Sequence, residues 1–200
     1  MKQKPTTLLL ARHGESEGNK PWTFLGRSDP SLTARGVAQA AQLAEKLAGE
    51  TITAVYSSPL RRAWETAVIA SLPHQLEPIK TAALIEQDYG QWESLHVDQV
   101  AINFAQDHQQ WQQDAYHYGP THGETLSQIE QRLQQLLTQL RAKHIGETIL
   151  LASHGGTLNT LLCHLLQTPH RWLWAYHFNM ASFTKIVLQP EGNVLFAFNN

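Results

Sequence analysis

The sequence predicts an α/β fold with a mostly parallel sheet, and three observations carry that expectation. Short β-like apolar runs alternate with longer helical stripes along the 200 residues. No internal repeat and no Gly/Ser linker divides the chain, so residues 1–200 read as one domain. The composition, 42% hydrophobic and 16% charged, is that of a globular chain able to bury one substantial core.

Taken in order, the first β-like run is Thr6 to Ala11. Thr33 then caps a helix whose apolar positions Val37, Ala40, Ala41, Ala44, Leu47 and Ala48 form a stripe before Gly49 stops it. Ile52 to Ser57 is the second run, and Arg61 and Arg62 fall on the helix after it. Between Gln87 and Gln131 there is no lysine or arginine, while acidic residues recur from Asp88 to Glu130. That stretch also holds Tyr89, Trp92, Trp111, Tyr116 and Tyr118. Its weak helical pattern from His96 to Gln112, followed by Gly119-Pro120, suggests a small lid insertion at 87–122.

A second stripe, Leu126, Ile129, Leu133, Leu136, Leu137 and Leu140, is the core face of a helix. Glu147 to Ala152 is the third β-like run, and a helix resumes at about Gly156. Cys163 lies in that helix's apolar pattern, which favours a packed thiol. Ala181 to Leu188 and Val194 to Phe198 flank Gln189-Pro190-Glu191-Gly192-Asn193 as a terminal hairpin. The tail after Pro169, with Arg171-Trp172-Leu173-Trp174 and Phe178, reads as core or as dimer surface, so a homodimer stays open.

Charge and length exclude several partners. A formal charge of -2 without a Lys/Arg cluster argues against nucleic acid. Leu8 to Ala11 is too short for a signal-peptide core, and no longer run could cross a bilayer, which argues against a membrane. With one cysteine unable to form an internal disulfide, the expected location is the cytoplasm.

Two places share one construction: Leu8-Leu9-Leu10-Ala11-Arg12-His13-Gly14 and Ile149-Leu150-Leu151-Ala152-Ser153-His154-Gly155-Gly156. Each apolar strand ends in histidine and glycine, at the sheet edge where ligands of open α/β folds bind. A helix beginning after His154 would turn its positive end toward an anion. A lone histidine there is more often a hydrogen-bonded strand end, but two with flanking glycines favour a functional pair. No His-x-His, His-Asp or Asp-x-His cluster supplies ligands for a hydrolytic metal centre, so neither metal nor other cofactor is expected.

The run Arg12-His13-Gly14-Glu15-Ser16 with Asn19 resembles the signature of the histidine phosphatase superfamily, the phosphoglycerate-mutase-like proteins. Gly26-Arg27-Ser28-Asp29 with Leu32-Thr33, Ser57-Ser58-Pro59-Leu60-Arg61-Arg62, Glu86 with Gly90 and Trp92-Glu93, Gly123-Glu124, and Ser153-His154-Gly155-Gly156 are similar to its further blocks, in its order. The resemblance implies a three-layer α/β/α fold and a reaction through phosphohistidine. In it, His13 is the nucleophile, and Arg12 and Arg62 hold the phosphoryl oxygens. His154 is a third positive donor, Asn19 and the Gly155 amide complete the cradle, and Glu86 is the general acid and base. Residue types alone leave Glu93 as a rival for that last role, and leave the other nine of the eleven histidines as surface or lid residues.

Two departures from the family pattern concern the pocket's outer loops: Ser94 stands where glycine is usual, and Asp29-Pro30-Ser31-Leu32 alters the order Asp-x-Pro-Leu. A phosphoglycerate mutase must hold a second phosphate, and the arginine-free lid is short beside the long basic insertion of the cofactor-dependent mutases. The expectation is therefore a phosphatase acting on a small phosphate ester. Lid aromatics could stack on its apolar part or only pack the lid, and the compact length with Gly26-Arg27-Ser28-Asp29 resembles α-ribazole-5'-phosphate phosphatases of cobalamin assembly. Mutase-type phosphotransfer and a non-catalytic binding protein are the alternatives.

Overall fold

In a computed structural model, which describes residues 4–200, the chain forms a six-stranded sheet in the order β3-β2-β4-β1-β5-β6. The strands are β1 (Thr6–Arg12), β2 (Ile52–Ser57), β3 (Ile79–Lys80), β4 (Thr148–Ser153), β5 (Phe183–Leu188) and β6 (Val194–Ala197). The first four run parallel, and the terminal hairpin β5–β6 adds antiparallel to β1. The helices are α1 (Ala34–Leu47), α2 (Arg61–Ser71), α3 (Val97–Asn103), α4 (Ala105–Gln113), α5 (Leu126–Lys143) and α6 (Gly155–Leu166).

The central strands read as continuous apolar runs because both faces are covered. Leu8 and Leu10 of β1 face α5 and α6, whereas Leu9 and Ala11 face α1 and α2, as a side-chain period of two requires. The stripe on α5 is buried throughout. On α1 the stripe differs from expectation: Gly36, Leu43 and Leu47 are inside with Ala40 and Ala44, while Val37, Ala41 and Ala48 are exposed. The true face is rotated because Gly36 must lie against the loop after β1. A Cβ on Gly14 would stand 2.6 Å from the Gly36 carbonyl oxygen, so two glycines are what let this loop and α1 touch. Thr33 caps α1 by accepting from the Gly36 amide at 3.0 Å.

Residues 87–122 carry a short 3-10 turn, α3 and α4, and fold onto the loop around Phe24. Trp92 is fully buried there, among Phe24, Val100 and Trp111. Ser94, in place of the family's glycine, adopts φ 65°, a conformation that favours glycine. His144, expected at the surface, is buried and bonds Tyr56 and Glu147, while His108, within residues 87–122, is buried against Trp111. The tail divides, with Leu173 and Phe178 in the core and Trp172 and Trp174 exposed. Among the described residues, no helix is long and apolar enough to cross a membrane.

Candidate active site

Sheet register assembles the site. Arg12 pairs with Ser153 and Ser57 with Ala152, so His13, His154 and Ser58 emerge side by side at the C-terminal edge of β1, β4 and β2. The His13 and His154 ring centroids are 5.1 Å apart. Both residues are buried, and His13 borders a cavity of about 490 Å³ also bounded by Arg12, Asn19, Glu86 and Gly155, while His154 packs against His13 without lining it.

Each histidine has one nitrogen fixed. His13 Nδ1 lies 2.7 Å from the Gly14 carbonyl oxygen, which only accepts, so Nδ1 carries the proton and Nε2 keeps its lone pair. Burial first, then Arg62 and Arg12, holds the His13 imidazole well below its usual pKa. His154 Nε2 is 2.8 Å from the Ser58 hydroxyl, while its buried Nδ1 has no partner. Burial first, then Arg62 and His13, holds its pKa well below the usual imidazole value, which works against the positive charge expected of His154. A phosphate dianion beside it would favour the charged form again.

Two guanidiniums are anchored through backbone carbonyls. Arg62, in the first turn of α2, donates to Ser28 O at 2.7 Å and Gly26 O at 2.8 Å, and is wholly buried. Arg12 donates to Phe178 O at 2.7 Å. In both, Nε–H has no partner, leaving the same edge of each fork uncommitted. Asn19 accepts from the Ser16 amide and hydroxyl through Oδ1, at 2.8 and 2.9 Å, so its NH₂ is what remains to donate.

The two candidate glutamates occupy different places. Glu86 sits at the start of α6, accepting from the Gly156 amide at 3.0 Å and from the Thr157 amide at 2.9 Å. A helix N-terminus suits a carboxylate, and these contacts aim Glu86 at the cavity while the Gly155 amide stays uncommitted. Glu93 instead accepts from the Gly26, Arg27 and Ser28 amides, outside the cavity. It organises the loop whose carbonyls hold Arg62.

Of the aromatics in residues 87–122, only Tyr89 is where stacking would need it. Trp92, Trp111, Tyr116 and Tyr118 do not line the cavity: Trp92 packs the segment, Tyr116 donates to Glu130, and Tyr118 is exposed. Phe24, Tyr89, Trp174, Tyr176 and Phe178 supply the apolar wall instead. Burial, then Glu86 and Glu93, raises the Tyr89 pKa, keeping it a neutral phenol. Sequence reasoning also missed Ser58 and Asn159. Asn159 was detectable as a polar residue in an apolar helix, three and four positions after the paired glycines.

The chain is 32% identical over 192 residues to phosphoserine phosphatase 1 of Hydrogenobacter thermophilus, covering 96% of this chain and 91% of the relative. It is 34% identical over 166 residues to a 2,3-bisphosphoglycerate-dependent phosphoglycerate mutase of Bartonella tribocorum, covering 80% and 81%. The crystal structure of the alpha-ribazole phosphatase from Shigella flexneri superposes with a TM-score of 0.87 at 29% identity, covering 97% and 96%. Residues 8–200 match the histidine phosphatase superfamily (branch 1), and the chain belongs to that family.

Proposed function

We propose that the protein hydrolyses a small phosphomonoester through a phosphohistidine on His13. The observation that carries this reading is the tautomer: the Gly14 carbonyl fixes the proton on Nδ1 and leaves the Nε2 lone pair for phosphorus. Nε2 forms the N–P bond as the P–O bond of the leaving alcohol breaks, and Glu86 gives that oxygen its proton. Water then attacks phosphorus, Glu86 takes the proton, the N–P bond breaks and inorganic phosphate leaves. The Nε–H edges of Arg12 and Arg62, the His154 Nδ1–H, the Asn19 NH₂ and the Gly155 amide would bind the phosphoryl oxygens as their charge grows. The chemistry needs no metal, so EDTA should leave turnover intact.

Transfer to water is favoured over mutase transfer by the cavity's charge. Beyond the phosphate end, Lys20 and His177 are the lining residues able to carry positive charge, few for a bisphosphorylated intermediate. The aromatic wall suits an alcohol with a flat or apolar part. Together with the likeness to the Shigella enzyme, this makes α-ribazole 5'-phosphate the substrate to try first. O-phosphoserine is the second, on the Hydrogenobacter relative. A screen of both with 3-phosphoglycerate, sugar phosphates and nucleotides should show phosphate release from an ester with a cyclic alcohol part. Transfer between positions of phosphoglycerate with little phosphate release would overturn the hydrolase reading.

The pH profile follows from the two depressed histidines. Because His13 is neutral well below the usual imidazole range, kcat/KM should not lose its nucleophile as pH falls through about 6.5. Stability moves oppositely: below that pH the unfolded chain binds protons that folded His13 and His154 refuse, so stability falls. Steady-state rates and urea titrations at pH 5 to 8 check both; a rate that falls with a midpoint near 6.5 would contradict the first.

A further inference from the structure

We infer that Asn159 is a specificity-determining residue that reads a hydrogen-bond donor, a hydroxyl or amine, on the substrate's alcohol part. The inference rests on the phosphatase reading. Helix α6 is otherwise a buried apolar helix, with Leu158, Leu161, Leu162 and Leu165 inside the core. Its buried threonines are satisfied within the protein: Thr157 donates to Ile85 O at 2.7 Å and Thr160 to Gly156 O at 3.0 Å. Asn159 differs. It is only 4% exposed, and its carboxamide oxygen is buried with no hydrogen-bond partner. An unpaired buried amide oxygen is costly, and a leucine of similar shape would remove that cost.

The place of Asn159 gives that cost a use. It borders the cavity that holds His13 and Glu86, one helical turn along α6 from Gly155 and Gly156. With the phosphoryl group at Gly155, a side chain one turn further along the same face meets the atoms next to the ester oxygen. The neighbouring wall is aromatic, from Trp174, Tyr176 and Phe178, and among those side chains only the Tyr176 hydroxyl, which already donates to Thr168, has an oxygen that could accept from a hydroxyl or amine. A site built to pair such a donor rejects the analogue lacking it, since the carboxamide is then left unpaired.

The test compares ribose 5-phosphate with tetrahydrofurfuryl phosphate, which keeps the ring and lacks its hydroxyls. The wild type should prefer the former in kcat/KM by about tenfold or more, and Asn159→Leu should lose most of that preference. The melting temperature of Asn159→Leu should hold or rise, because the substitution removes an unpaired amide. A wild-type preference under twofold, or one that Asn159→Leu retains, would overturn the inference and leave water as the partner of the carboxamide. A fall in melting temperature with the preference retained would mark a packing role and overturn it equally. Phenyl phosphate separates the two readings: if the wild type fails to hydrolyse any of these esters, the phosphatase reading itself has failed. If phenyl phosphate is hydrolysed without discrimination in the other pair, only the role of Asn159 has.

Discussion

Replacing His13 with alanine is expected to lower kcat by roughly 10⁴-fold or more while the protein stays folded. The size follows from the position of the ring. Nε2 is the lone-pair nitrogen held beside both guanidiniums and the second histidine, and no other neutral nucleophile of comparable strength occupies that edge of the sheet. Ser58 is spent on His154 and the Leu60 amide. Cys163, the one thiol, is buried two turns along α6 from Gly155, outside the cavity, with its pKa raised by that burial, so it remains a packed thiol. With ³²P-labelled substrate and rapid denaturation, wild type should carry an acid-labile, alkali-stable label, and His13→Ala none. Phosphate release undiminished in His13→Ala would refute the covalent mechanism and point to direct attack by water.

The parts of this arrangement legible in the sequence are those fixed by local pattern. An apolar run buried on both faces, then histidine and glycine, recurs in β1 and β4, and parallel register does the rest by bringing like positions level. The stripe on α5 is equally local and survives intact. What was not legible depended on contact between distant segments. The face of α1 turned because Gly36 meets the loop after β1, a meeting that no helical period encodes. Trp92 and Trp111 pack with Phe24, a residue about seventy positions before Trp92 in sequence, so of the aromatics in residues 87–122 only Tyr89 reaches the cavity wall, beside Phe24, Trp174, Tyr176 and Phe178. Glu93 had the same residue type and neighbourhood as Glu86; only the fold gives one to the Gly26–Ser28 loop and the other to the start of α6.

Arg62→Met should cost both activity and stability, and that combination distinguishes it from Arg12→Met. Activity should fall about 10² to 10³-fold in either, as each removes a charged donor from the phosphoryl oxygens. Stability should diverge. Arg62 is wholly buried, and its loss strands the Gly26 and Ser28 carbonyls together with a loop that Glu93 holds from the other side. Two stranded carbonyls at about 1–3 kcal/mol each suggest a loss of about 2–6 kcal/mol. At roughly 2–4 °C per kcal/mol, the melting temperature should fall by about 4–24 °C. Arg12 is only half-buried and gives one bond to a carbonyl, that of Phe178, so its replacement should cost less than half as much. Calorimetry and steady-state kinetics on the pair make the comparison. Equal melting temperatures would mean that the Gly26–Ser28 loop finds other donors, and that Arg62 serves the phosphate end without also supporting it.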